Sequence, residues 1–355
     1  MPKPALLSEA VRGAGITRLG LLTGLDRLGI PVAQAVRPLG RTISVYSGKC
    51  LDIGGATAAA LGEAIEYAVM ERFCRIDHEG TAADIPRPRF VGGGGPADRL
   101  RLAWVGAEPL AGSAFYVPLA QVRMDFSAPH PLAVSSTGNA AGATPEAAAL
   151  AGLLEAVERA AVVDWIDRGP IGRSLDSFAP DPVADDGTRA ALARVRAAGV
   201  RSRFFALAGR TRIPVVACQL LDPRPDRIAG RVAVGTAARP TLAGAVRDSL
   251  AEAAQVRLTR IAGARDDMVA PHEEDEANGF GVDVPLPGAR AGRGLERAGF
   301  AACTDEDRLA WTVTQVVSAG YPDIGIVDLA FPGCPLAVVK VVVPGMRDMP
   351  PAPAA

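Results

Sequence analysis

Apolar residues at positions 61, 65, 69 and 73 recur within an alanine-rich stretch. That is the spacing of one helical face, and it predicts a helix from Ala56 to about Arg75. A second alanine-rich helix is predicted from Thr144 to about Asp167, with Thr144 as N-cap and Pro145 opening the first turn. A third of the same kind spans Pro240 to Gly263. Shorter helices are expected near 188–198 and 304–319. β-Branched and apolar runs predict strands at Thr42-Ile-Ser-Val-Tyr46, 114–123, Val215 to Leu221, Val232 to Val234, 324–330 and 337–343. Glycine-punctuated extended runs fill 15–46, and 86–100 is a loop rich in proline and glycine. Asp181 to Gly187 is a linker, and the acidic, Gly/Pro-rich stretch 270–294 is an exposed, mobile segment. The terminal Pro350-Pro-Ala-Pro-Ala-Ala355 excludes helix and predicts a polyproline-like strip. Together these elements predict a mixed α/β (α+β) fold with alanine-rich helices packed on β-sheets.

Composition narrows the class. At 355 residues the chain has room for one large domain or two smaller ones. With 49% hydrophobic and 22% charged residues it is globular, neither disordered nor collagen-like. Thirty-eight basic against 39 acidic residues leave a net charge of −1, which gives no overall pull toward nucleic acid or an anionic membrane. The five cysteines are scattered without a CxxC pair, and His78, His130 and His272 lie far apart, which argues against a disulfide framework and a structural zinc site. Glu9, Arg12 and Arg18 interrupt any secretory h-region, and no apolar run is long enough for a membrane span, so a cytoplasmic protein is expected. Arginine dominates the basic residues; Lys3, Lys49 and Lys340 are the three lysines. A lysine kept against that bias invites attention.

The candidate chemistry is carried by two repeats of Glu-x-x-Glu. Glu63-Ala-Ile-Glu66 and Glu155-Ala-Val-Glu158 each place two carboxylates on one helix face beside apolar neighbours. Such carboxylates are relieved by a hard cation such as Mg2+, which binds oxygen ligands. Solvent-facing glutamates on amphipathic helices are the alternative. Two glycine-containing segments, Ser47-Gly-Lys49-Cys50 and Ser136-Thr-Gly-Asn-Ala-Ala-Gly142, read as turns between a strand and a helix that favour anions. Neither is a Walker A loop, and no Gly-x-Ser-x-Gly elbow is present.

These residues resemble the YcaO family. Ser47-Gly-Lys-Cys followed by Glu63-x-x-Glu66 is similar to its Gly-Lys-Gly…Glu-x-x-Glu segment. Ser135-Ser-Thr-Gly-Asn-Ala-Ala-Gly-Ala-Thr-Pro-Glu146, running to Leu154-Glu-Ala-Val-Glu-Arg159, resembles the Ser-Asn-Gly…Glu-x-x-Glu-Arg segment. Glu252-Ala-Ala-Gln-Val-Arg257, Gly263-Ala-Arg-Asp-Asp267, Val341-Val-Val-Pro-Gly345 and the proline-rich end resemble the later blocks. Gly15-Ile-Thr-Arg18 and Thr23-Gly-Leu-Asp-Arg-Leu-Gly-Ile-Pro-Val32 are similar to the subgroup paired with TfuA-like proteins.

The resemblance implies one YcaO domain over 1–355, with related lobes at about 12–130 and 131–345 and a proline-rich tail at 346–355. It implies ATP- and Mg2+-dependent O-phosphorylation of a peptide backbone amide. By the same resemblance, Glu63, Glu66, Glu155 and Glu158 hold Mg2+, while Ser47, Lys49 and Arg159 contact the nucleotide. Pro351 and Pro353 approach the reacting groups. The chain departs from the family pattern at Cys50, Thr137, Ala147, Ala160 and Asp248; neighbouring Glu146 and Arg247 are candidates to compensate for Ala147 and Asp248. Three readings follow: a thioamide-forming enzyme with a TfuA-like partner, an azoline-forming cyclodehydratase, or a nucleotide-impaired scaffold. The substrate is a peptide or protein. The cyclodehydratase reading requires a leader-binding protein in trans, and the family resemblance implies a homodimer.

Overall fold

The computed structural model describes residues 11–91, 96–127, 132–169, 176–223, 232–264, 290–291, 303–331 and 333–348. In chain order the elements are β1 (Arg18–Leu21), β2 (Val32–Val36), β3 (Val45–Lys49), α1 (Ile53–Met70), β4 (His78–Gly80), β5 (Leu102–Ala111) and β6 (Phe115–Pro118). Then come β7 (Asn139–Gly142), α2 (Pro145–Asp167), β8 (Ser177–Ala179), α3 (Asp186–Ala197), β9 (Arg201–Leu207), β10 (Val215–Leu221) and β11 (Val232–Ala238). The order closes with α4 (Leu242–Ala262), β12 (Arg290–Ala291), α5 (Asp305–Ser318), β13 (Ile324–Asp328) and β14 (Ala337–Val342).

Three sheets result, with orders β1-β2-β3, β11-β10-β9-β8-β12 and β4-β5-β13-β14-β7, β6 pairing β5. The third sheet draws strands from both ends of the chain, since β14 runs antiparallel to β7 with Lys340 opposite Asn139. Each sheet carries one of the long alanine-rich helices. α1 packs on the first sheet through Ala56, Ala60, Ala64 and Ala68, α2 on β14 and β7, and α4 on β10 and β11.

Local chemistry sets the helix starts. Asp52, Thr144 and Thr241 are N-caps whose side chains accept from the N–H groups of Gly55, Ala147 and Gly244. Gly263, at φ 55°, ends α4 in the left-handed conformation that glycine adopts without a Cβ penalty. α1 begins at Ile53 and stops at Met70, earlier at both ends than the apolar spacing predicts. Asp52 fixes its start, and the chain turns just past its end, where buried Arg37 holds Glu71 at 2.8 Å.

The strand expected at 42–46 instead spans 45–49, so Ser47-Gly-Lys49 is strand and not a turn. Asn139–Gly142 is likewise a strand, with the turn confined to Thr137-Gly138. The reason is close packing. A Cβ on Gly48 would lie 2.1 Å from the Ala60 backbone N, and one on Gly235 2.2 Å from that of Ala253. These glycines let β3 and β11 lie directly against α1 and α4, a role that leaves the backbone extended. Strands β4, β5, β8, β9 and β12 have no counterpart among the predicted elements. No described helix is long and apolar enough to cross a membrane. The terminal prolines, Gly92–Gly95, His130 and most of 270–294 lie outside the described residues.

Candidate active site

The three alanine-rich helices present their glutamates to one cavity of about 1100 Å³. Glu63 and Glu66 reach it from α1, Glu155 and Glu158 from α2, and Glu252 from α4. Small neighbours such as Ala59, Gly62 and Ala151 leave the space open.

Each carboxylate is held by a backbone amide. Glu63 accepts from Ser47 N at 3.0 Å, and Glu155 from Gly138 N at 3.1 Å. Glu158 accepts from Ala238 N at 3.2 Å and from the Thr236 hydroxyl at 2.7 Å. Glu66 is bonded by the backbone of Ala141 and Glu252 by that of Thr236. Backbone amides of β3, β7 and β11, and of the turn before β7, therefore orient these five side chains, the task that outer hydrogen-bond partners perform around metal ligands.

Electrostatics divides the cavity. Burial, then the charges of Glu155 and Glu63, push the Glu66 carboxyl well above the usual range. Burial likewise pushes Glu155 up to about 7, Arg159 opposing and Glu158 adding to the shift. The cations near these groups do not offset their burial and mutual repulsion, so the pair invites a further cation. The protein supplies cations of its own around the cavity. Lys49 pairs with Glu252, and Arg159 lies 3.6 Å from Glu155. Burial disfavours charge on Lys49, but Glu252 outweighs it and raises its pKa. Arg239, Arg247 and Arg308 complete a basic wall.

The predicted residues sort clearly. Glu63, Glu66, Glu155, Glu158, Lys49, Arg159 and Arg247 all line the cavity. Ser47 does not; its side chain is buried beneath β3, with the hydroxyl unpartnered, and only its backbone N–H serves the site. Glu146 is absent from the wall, while Ala147 is on it. One residue along a helix turns the side chain by about 100°, so Glu146 cannot take the place of a carboxylate at 147. Pro351 and Pro353 lie outside the described residues. Arg239 was not legible as a site residue, being an isolated arginine before a helix. Lys340, singled out by rarity alone, is fully buried and does not line the cavity.

The donor set fits a hard divalent cation with a phosphate ligand. Among the described residues no three His, Cys, Asp or Glu side chains are drawn together as a ready-made metal cluster. Mg2+ does not require one, since it takes one or two carboxylates and completes its shell with phosphate oxygens and water.

Comparison with known proteins agrees with this chemistry. The family model described as YcaO cyclodehydratase, ATP- and Mg2+-binding, matches residues 47–347. The chain belongs to the YcaO family. A relative from Rhizobium leguminosarum bv. trifolii, described as an uncharacterized protein in the tfuA 3' region, is 30% identical over 97% of this chain and 86% of its own. The YcaO structure from Methanopyrus kandleri bound with AMPPCP and Mg2+ matches with a TM-score of 0.73 at 23% identity, over 95% of this chain and 88% of that one. A heterocyclase in complex with substrate and cofactor matches with a TM-score of 0.75 at 19% identity, over 98% of this chain and 53% of the other. The YcaO fold is thus established, and ATP and Mg2+ are the family's ligands.

Proposed function

We propose that this protein activates a backbone amide of a peptide or protein by ATP-dependent O-phosphorylation, for thioamide formation with a TfuA-like partner. The observation that carries the reading is the convergence of Glu63, Glu66, Glu155 and Glu158 on one cavity shared with Lys49 and Arg159. Mg2+-ATP, when bound, supplies the γ-phosphoryl group. Glu63, Glu66, Glu155 and Glu158 hold the cation, kept in orientation by the backbone amides behind them. Lys49, Arg159 and Arg247, with Arg239, hold phosphate oxygens, the arginines as planar forks and the lysine as a point charge.

The reaction balances without a redox partner. The amide oxygen bonds to phosphorus as the bond to ADP breaks. Hydrosulfide adds to the amide carbon and loses its proton, and phosphate leaves with the former amide oxygen. The relative from the tfuA region supports a TfuA-like protein as the source of sulfur. The cyclodehydratase description and the heterocyclase likeness favour a second reading, in which a side-chain Cys, Ser or Thr of the substrate attacks and an azoline forms.

Calorimetric titration with Mg2+ and a nonhydrolysable ATP analogue, beside Glu63→Ala and Glu155→Ala, tests the site. Mg2+-dependent binding lost in both variants is expected; no heat from folded protein would overturn the reading. Mass spectrometry of a peptide incubated with the TfuA-like partner then separates the products, since a thioamide exchanges oxygen for sulfur and an azoline loses water.

A further inference from the structure

Lys340 interrupts an otherwise apolar strand, Ala337-Val-Val-Lys-Val-Val342, and has no exposed surface. Burying an ammonium is costly unless charge or hydrogen bonds offset it. Its Nζ donates to a neutral group, the Ser135 carbonyl, at 2.7 Å. Burial brings the amine down to about 8, even with Glu155, Asp348 and Glu66 opposing it. The effect is mutual, because Lys340 lowers the pKa of both Glu66 and Glu155.

The backbone links this amine to the same carboxylates. Ser135, which accepts from Lys340, also accepts the Thr137 N–H through its hydroxyl at 3.0 Å. The next residue, Gly138, donates to Glu155, and its carbonyl receives the Val341 N–H at 2.8 Å. Lys340 therefore braces the turn that orients one proposed ligand while placing a positive charge beneath two of them. Neither role is one the proposed chemistry assigns to it.

We propose that Lys340 is a positioning residue, the resident counter-charge of the cation site, balancing Glu66 and Glu155 from below. The inference rests on reading those glutamates as cation ligands. It has a consequence that simple packing lacks: the amine and the divalent ion draw on the same negative charge. Removing the amine leaves a more negative site, so the metal-free fold weakens while the cation binds more tightly.

The test is Mn2+ binding by electron paramagnetic resonance, with Mg2+ competition, on the wild-type chain, Lys340→Met and Lys340→Arg. Methionine keeps the unbranched stem and removes the charge; arginine keeps the charge. Lys340→Met is expected to bind the cation roughly tenfold more tightly, the size of one modest charge interaction in a partly screened site. Its melting temperature should fall without Mg2+ and recover with it by more than the wild type gains, since a ligand of the folded state stabilises by mass action. Lys340→Arg should keep wild-type affinity. Unchanged or weaker affinity in a folded Lys340→Met, or a loss of folding that Mg2+ does not reverse, would overturn the proposal. A wild-type chain that binds no divalent cation would instead overturn the reading of the glutamates.

Discussion

Lys49 at the end of β3 and Glu252 in the middle of α4 form an ion pair across the cavity, 203 residues apart in sequence. The pair ties the first sheet to the third alanine-rich helix, with Gln255 of α4 also donating to the Ser47 carbonyl at 2.5 Å. Lys49→Ala leaves Glu252 facing the cavity with its nearest cation gone and removes a donor to phosphate. We expect a loss of ATP-analogue affinity of roughly tenfold or more, measured by calorimetry. Glu252→Gln should cost less, because the lysine keeps its charge for the ligand.

Asp248 acts from behind the wall. It receives Arg239 Nε at 2.6 Å and Arg247 Nε at 2.8 Å, and these two arginines line the cavity. Burial works against its charge, but Arg239 and Arg247 outweigh this and lower its pKa. Asp248, one of the positions where the chain departs from the YcaO pattern, thus organises two cations. Asp248→Ala should free both side chains and weaken nucleotide binding several-fold, with a smaller loss for Arg247→Ala alone. Affinities of both variants at two salt concentrations check this.

Much of the framework was legible because it is local. The Thr144-Pro145 start of α2 and the Gly263 stop of α4 are short-range capping signals, and both fall where they were expected. The Glu-x-x-Glu pairs were legible as pairs because i and i+3 share a face. What was not legible is long-range. β5 carries Gly106 and Pro109, which break an alternating pattern, and its place is set by pairing with β13 more than 200 residues later. Ser47-Gly-Lys49 resembled a turn because glycine favours turns; its strand geometry follows from packing against Ala60, a contact that spacing does not reveal. The Asp248 clamp needed the β11–α4 linker brought beside the helix, and Lys340 carried no signal beyond its rarity.

Stability should depend on pH in a direction set by the glutamates. Glu155 moves from 4.5 to about 7 on folding, and Glu66 is raised well above its usual value. A carboxyl with a raised folded pKa binds more protons folded than unfolded. Its cost to stability therefore begins as pH passes the unfolded value and is complete above the folded one. The metal-free protein should lose melting temperature between about pH 4.5 and 7 from this source. Saturating Mg2+ should flatten that slope, and binding near pH 6 should release protons, because ligands must be deprotonated. Calorimetry in buffers of different ionisation enthalpy measures the release; the opposite slope in the melts would contradict the assignment of these groups.

Close packing of β3 on α1 makes Gly48 a sharper structural test than any of the charged residues. An added Cβ would meet the Ala60 backbone N at 2.1 Å and the Ala56 carbonyl at 2.2 Å, atoms that cannot swing aside. Gly48→Ala must push the helix from the strand, at a cost of about 3 kcal/mol for this kind of overpacking. The shift would also carry Glu63 away from the Ser47 amide that orients it. Gly62 is the matched control, since it lies on α1 within the cavity wall and has nothing within 4 Å of an added Cβ. Gly62→Ala should keep or slightly raise the melting temperature, alanine being the better helix former by about 1 kcal/mol. Chemical denaturation of the two variants compares them directly: equal stability would mean that α1 does not lie against β3 through Gly48.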